Sequence, residues 1–276
     1  MNFLVLALLP WIEKFSALRQ KVQRDGFLLG ELARLERSGK VQPWWSLAIL
    51  VLAPVVLLAL VLHVLAPVAY GLLVLPIHLL VLLYSLGRGN PRRALGPLRD
   101  AWRRGDDQAA LHAAERDLGL GADDPQALQR QVQDHLLWQM YQGFFAVIFW
   151  YALAGPAAAL AYRLLALCAA HSRQQALGAR AGCLRHVMDW LPVRILALSL
   201  ALVGNFVAVT RAMLHEVLAW RTPAERLIAS AGRAAEEGLG EPQGQRYPQR
   251  LDSLWELIVR SAILWYACLA LGAVLG

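Results

Sequence analysis

The chain has 276 residues, of which 58% are hydrophobic and only 17% charged, and its mean hydropathy is +0.43. A soluble globular domain carries about 25% charged residues. That class is therefore excluded, and several apolar runs are free of charge over about 18 residues, enough to cross a hydrocarbon core of roughly 30 Å. The expected fold is all-α: a polytopic integral membrane bundle of five or six membrane helices with amphipathic cytoplasmic helices. The net charge of +7 comes with no aromatic-interleaved basic motif, so it points to an anionic inner leaflet and not to nucleic acid.

The opening "MNFLVLALLP" lacks a basic n-region and an A-x-A-like cleavage site, so it does not read as a removable signal peptide. It is also too short to span, which leaves partial or interfacial insertion. "SALRQKVQRDGFLLGELARLERSGK" then places Leu18, Val22, Leu29, Leu32 and Leu35 near helical spacing with charges between, the pattern of an amphipathic surface helix.

Trp44 to Pro67 is the first long apolar run, and Val68 to Gly87 follows it across a proline. They predict a tight helical hairpin, with Trp44 and Trp45 as interfacial anchors. Basic residues flank this hairpin on both sides. Lys14, Arg19, Lys21, Arg24, Arg34, Arg37 and Lys40 precede it, and Arg88, Arg92, Arg93, Arg99, Arg103, Arg104, Arg116 and Arg130 follow it. The positive-inside rule puts both segments in the cytoplasm. The second is expected to hold short helices broken at Gly105-Asp106 and at "GLGADDP", with Asp107 and Asp124 as caps.

Leu136 to Ala170 is too long for one straight crossing at 1.5 Å per residue. Gly155-Pro156 near its middle can end one helix and start the next, which favours a second hairpin over one long kinked helix. Further spans are expected from about Leu191 to Val209 and from about Leu254 to Leu275. The basic content of Arg211 to Asp252 favours the inside, whereas a single crossing from Leu191 would put it outside. Either the third apolar region is one span or one helix is re-entrant. The expected organisation is a single membrane domain over 1–276, containing an N-terminal amphipathic segment (1–43), a cytoplasmic helical segment (87–135) and a polar helical loop (211–253).

Arg163 is the most informative charge. Inside a crossing it costs at least ~2.5 kcal/mol and faces a wet cavity or a partner; near the end of a single span it snorkels to the interface. Gln139 and Gln142 enter the same apolar region, either as bonds between helices or as ligand contacts beside Arg163. In "HVMDWLPVRI" Pro192 reads as an early helical position, Asp189 as a residue suited to the positive helix dipole, Trp190 as an interfacial anchor, and Arg194 as reaching lipid phosphate or Asp189. The candidate ligand or partner pocket is therefore Arg163, Gln139, Gln142, Asp189, Trp190 and Arg194.

No catalytic residue, metal site or cofactor is expected. His63 and His78 fall in different helices, and His135, His171, His186 and His215 are dispersed, without the spacing or carboxylates of a metal site. Cys168, Cys183 and Cys268 are scattered and suggest neither a disulfide framework nor zinc. No phosphate loop, nucleophile elbow or paired-carboxylate constellation is present.

"HVMDWLPVRILAL", with "FFAVIFWYALAGPAAALAYRLLAL" and the preceding "WRRGDDQAALHAAERDLG", resembles the AmpE family over most of the chain. The resemblance implies an inner-membrane signalling modulator of β-lactamase induction, encoded beside an amidase and linked to peptidoglycan recycling. Its expected partners are the lipid bilayer and either a cytoplasmic protein or a peptidoglycan-derived ligand.

That family is in turn similar to the CobD/CbiB cobalamin-biosynthesis proteins, whose pattern E-S-V-x-E-N-x-x-D precedes an F-W-Y-A block. Here the matching stretch is "DHLLWQMYQ", with Trp138 in place of the second glutamate, Gln139 for the asparagine and Gln142 for the aspartate. Phe149, Trp150, Arg163, Trp190, Pro192 and Arg194 match the framework while the acidic residues do not, so a shared scaffold with a different function is expected. The leading expectation is a non-enzymatic regulatory protein. The alternative is a CobD/CbiB-like enzyme or transporter that holds an anionic small molecule with Arg163 and Arg194.

Overall fold

The computed structural model describes residues 23, 25–38, 42–67, 73–87, 91–236 and 247–275. The N-terminal apolar decamer and the first residues of the second apolar run lie outside them. Among the described residues every regular element is helical. Four helical segments are long and apolar enough to cross a membrane: Pro43–Leu65, Pro125–His171, Gln175–Val203 and Tyr247–Leu275; Val74–Ser85 is a shorter apolar helix. The described residues are thus all-helical, with four candidate membrane-spanning helices.

The chain divides into two compact units. The first comprises residues 1–86 and 146–189. It contains α1 (Gly26–Ser38), α2 (Pro43–Leu65, with a π-helical stretch at Ala48–Leu52), α3 (Val74–Ser85) and α4 (Ala146–His171). It also contains the first part of α5 (Gln175–Val203).

Leu28 and Leu32 of α1 pack with Leu47, Leu50 and Val51 of α2, with Leu164, Leu165, Leu167 and Cys168 of α4, and with Leu177 and Ala181 of α5. Of the apolar positions expected from sequence, Leu32 is in this core and Leu29 and Leu35 pack against it partly buried, while Leu28 takes a core position the pattern did not include; Leu18 and Val22 lie outside the described residues. Further along α2 the situation reverses. Val56, Leu57, Leu60 and Val64 are all more than half exposed, and no residue from Ala53 to Leu65 is buried. Water would penalise such a surface, whereas acyl chains match it, which suits a helix long and apolar enough to cross a membrane.

The predicted break in the third apolar region falls at Gly155, whose φ of 77° and ψ of −170° interrupt the helical geometry of α4. An L side chain rarely adopts that conformation. Pro156 follows and sits in the turn after the break, where a missing N–H is tolerated.

The second unit comprises residues 87–145 and 190–276. It contains α6 (Gly96–Arg104), α7 (Asp107–Leu118), α8 (Pro125–Met140), a π-helical turn at Tyr141–Phe145, and the remainder of α5. After α5 come α9 (Phe206–Met213), α10 (Ala224–Glu236) and α11 (Tyr247–Leu275). Asp124 caps α8 by accepting from the Ala127 N–H, as the sequence suggests. At α7 the cap is Asp106, which accepts from the Ala109 N–H. Asp107, the expected cap, is already the first helical residue.

Polar pairs tie this unit together. The Arg99 guanidinium donates to both carboxylate oxygens of Asp252 at 2.5 and 2.7 Å, and Arg233 does the same to Asp134 at 2.6 and 2.7 Å. The Trp265 indole N–H donates to the Ser199 hydroxyl at 2.8 Å.

Glu236 is held less well. Gln133 donates to its Oε2 at 2.9 Å, but Oε1 is buried and meets no donor among the described residues. Burial pushes its carboxyl up to about 7, against the opposing pull of Arg250 and Gln133.

Gly155→Ala is expected to lose about 1–3 kcal/mol through backbone strain, read as a lower thermal midpoint in detergent; an unchanged midpoint would show that α4 tolerates an ordinary helical residue there. For Glu236, the folded state holds its proton more tightly than the unfolded chain, so stability is greatest at low pH and falls as pH rises from about 4.5 to about 7. Glu236→Gln is expected to remove a penalty on the order of 3 kcal/mol at pH 8 and to change little at pH 4.5, as measured by thermal unfolding across that range.

Candidate functional site

Within the first unit α4, a mostly apolar helix, carries two neighbouring polar residues, Tyr162 and Arg163. Tyr162 is fully buried and donates its hydroxyl to Asp189 Oδ1 at 2.8 Å. Asp189, only 3% exposed, also lies 3.3 Å from Arg185 Nε, one turn earlier on α5. Arg163 Nη2 lies 3.5 Å from Asp25 Oδ2, and Asp25 too is 3% exposed. Two buried carboxylates therefore face two arginines in one unit. A charge removed from water persists only when paired, and deleting one member of a buried pair costs about 3–5 kcal/mol because the other is stranded.

The segment bearing Asp25 is fastened at both ends. Before it, the Gln23 side-chain amide donates to the carbonyls of Leu83 and Leu86 at 2.9 and 3.0 Å, satisfying carbonyl groups at the C-terminal end of α3. Beyond it, at the end of α1, Glu36 Oε1 accepts from the Ser172 hydroxyl and from the N–H groups of Arg173 and Gln174 at 2.7, 2.9 and 3.1 Å. These N–H groups precede α5, so the carboxylate sits at the positive end of that helix. Burial raises the Glu36 carboxyl, but the hydrogen bonds from Ser172, Gln174 and Arg173 outweigh it and hold the group below its ordinary range. The latch is thus charged, and closed, at neutral pH.

A second buried pair lies on the same helix. Tyr151 is fully buried with its hydroxyl 2.9 Å from Nδ1 of His78 on α3, the two rings meeting edge to face.

The six residues singled out from sequence fall into the two units as follows. Arg163 and Asp189 belong to the first, with the partners just described. Gln139, Gln142, Trp190 and Arg194 belong to the second. Gln139 meets His135, one turn back on α8, at 2.9 Å, and Gln142 lies in the π-helical turn.

The "HVMDWLPVRI" stretch is not a helix start. α5 begins at Gln175 and runs through it, with Pro192 inside the helix. Asp189 is accordingly balanced by Tyr162 and Arg185 and not by a helix dipole. Arg194 lies over the Trp190 ring at 4.1 Å and donates to the carbonyls of Trp190 (2.5 Å), Ala219 (3.0 Å) and Val217. Its guanidinium is thus held by main-chain carbonyls of α5 and of the stretch from Val217 to Ala219.

Sequence reasoning missed Asp25, Tyr162, Arg185, Gln23 and Glu36. The Arg185/Asp189 spacing of four was a visible signal for one helical pair. Asp25, beside Arg24 in a polar segment, looked like solvated surface.

If the Asp25–Arg163 pair is a buried unit, Arg163→Ala and Asp25→Ala should each destabilise the protein in detergent by about 3–5 kcal/mol, and the double variant should lose less than the sum. Strict additivity in that cycle would show that the two side chains do not act together.

The chain matches the family described as "Regulatory signalling modulator protein AmpE" over residues 1–227. It therefore belongs to that family. No curated protein and no solved structure matches it.

Proposed function

We propose, taking membership of the AmpE family of regulatory signalling modulators as the premise, that this chain is a bacterial inner-membrane protein acting in β-lactamase induction. It works in connection with peptidoglycan recycling, through a cytoplasmic protein partner or a peptidoglycan-derived ligand and without catalysing a reaction. The basic segments around the first apolar run face the cytoplasm.

The observation that carries this reading is the buried Asp25–Arg163 pair. It joins a membrane helix to the root of α1, an amphipathic helix whose Arg34 and Arg37 are exposed. Such a pair is costly to break, so it holds α1 in one arrangement until an interaction of comparable strength competes for either charge. A ligand acid that takes Arg163, or a partner that draws on α1, would shift that balance. The neighbouring Tyr162–Asp189–Arg185 group gives the same region of α4 a second polar contact, which keeps the helix in register while the first exchanges.

The test is β-lactamase activity, with and without an inducing β-lactam, in an in-frame deletion that leaves the neighbouring amidase intact. The deletion is complemented with wild type, Arg163→Ala, or the Asp25→Ala/Arg163→Ala double variant at matched membrane abundance. Induction is expected to change on deletion, to return with wild type, and not to return with either variant. An unchanged induction profile in the deletion strain would overturn the proposal.

A further inference from the structure

Residues 204–236 belong wholly to the second unit and fold back along the helix they follow. α5 ends at Val203, and the Asn205 side chain starts α9 by accepting from the Ala208 N–H at 3.1 Å. The chain then returns along α5. Arg194 binds the carbonyls of Val217 and Ala219, and Trp220 lies 6.0 Å from Trp190 ring to ring.

α10 runs the other way. A Cβ on Gly204 would come within 2.9 Å of Ala235, so the end of α10 passes against the end of α5 with only a hydrogen between them. From Trp190–Arg194 to Gly204 is roughly 15–20 Å along a helix axis, and α10 with its 13 residues covers about the same length. The two legs therefore match: the segment leaves at Gly204, turns beside Arg194, and comes back to Gly204.

The outside of this hairpin carries exposed apolar side chains beside exposed Thr210, Arg211, His215, Arg221, Glu225 and Arg226. Phe206 is 52% exposed, Val207 63%, Leu214 64%, Leu218 80% and Trp220 52%, and α5 beside it leaves Leu198 and Leu202 more than half exposed. Arg226 meets Glu216 at 3.2 Å, while Arg211 and Arg221 are exposed. An apolar surface flanking a helix long and apolar enough to span a membrane is already in the company of acyl chains. Long basic side chains on it can extend toward phosphate.

We propose that residues 205–236 form a re-entrant hairpin that enters the membrane on the side where Gly204 emerges and returns to that side. Phe206, Val207, Leu214 and Leu218 meet lipid, and Arg211, within two turns of Gly204 on α9, binds the phosphate of anionic headgroups. The segment does not cross, so Gly204 and Glu236 face the same compartment.

The experiment uses the full chain with the exposed thiols Cys183 and Cys268 changed to serine; Cys168 is buried and stays. Leu218→Cys carrying an NBD probe, in nanodiscs containing phosphatidylglycerol and this protein alone, is expected to give blue-shifted emission quenched by doxyl-phosphatidylcholine and not by iodide. Red-shifted, iodide-quenched emission would mean that lipid does not cover the face, and would overturn the proposal even if a protein covers it in the cell. Asn205→Cys and Glu236→Cys are expected to react with an impermeant maleimide from the same face of oriented vesicles; reaction from opposite faces would overturn the hairpin itself. Arg211→Gln should abolish any difference in NBD emission between phosphatidylglycerol and phosphatidylcholine discs, and a retained difference would remove Arg211 from the headgroup role.

Discussion

A charge in an apolar helix must find a counter-charge or a hydrogen-bond partner within the fold, and the first unit is arranged around that constraint. Arg163 on α4 would be costly if left in hydrocarbon. Asp25, supplied from the root of α1, answers it at 3.5 Å. Leu28 and Leu32 then lie one and two turns along α1 in the core formed with α2, α4 and α5. The polar contact positions the segment, and apolar packing supplies the bulk of the burial. Gln23 and Glu36 finish the attachment by filling unsatisfied backbone groups at two helix ends.

The same constraint operates in the second unit with different acceptors. Arg194 has no carboxylate in its described contacts; it is held by three main-chain carbonyls and the face of Trp190. A guanidinium satisfied in this way joins the turn at Val217 to Ala219 to the middle of an apolar helix. Where α10 returns, the contact is made by small residues, Gly204 against Ala235, and Gly232 likewise admits Leu137 of α8. Small-residue contacts let helix backbones approach closely without a hydrophobic driving force between them.

For a signalling protein these arrangements concentrate the consequences of binding in a few contacts. Buried ion pairs contribute little net stability but a large penalty when half broken. They therefore fix one arrangement more sharply than apolar packing, which accommodates small shifts. In the function proposed above, α1, held at its two ends by polar contacts, is the element whose arrangement binding would change.

Much of the architecture follows from composition along the chain. Hydropathy adds up locally, so the spans beginning at Pro43 and ending at Leu275, the break at Gly155 and the cap at Asp124 were all legible from residues close together in sequence. The partner of Arg163 was not, because Asp25 lies far upstream in a segment whose charges alternate as they would on a solvated helix. Nor was the continuity of α5 through Pro192: a proline beside an aspartate looks like a helix start until Tyr162 and Arg185 are seen to take up the aspartate's charge. Local sequence thus determined which stretches are helical and apolar, because those properties depend on near neighbours. Tertiary structure alone decided which charges meet, because that depends on which distant segments share the space from which water is excluded.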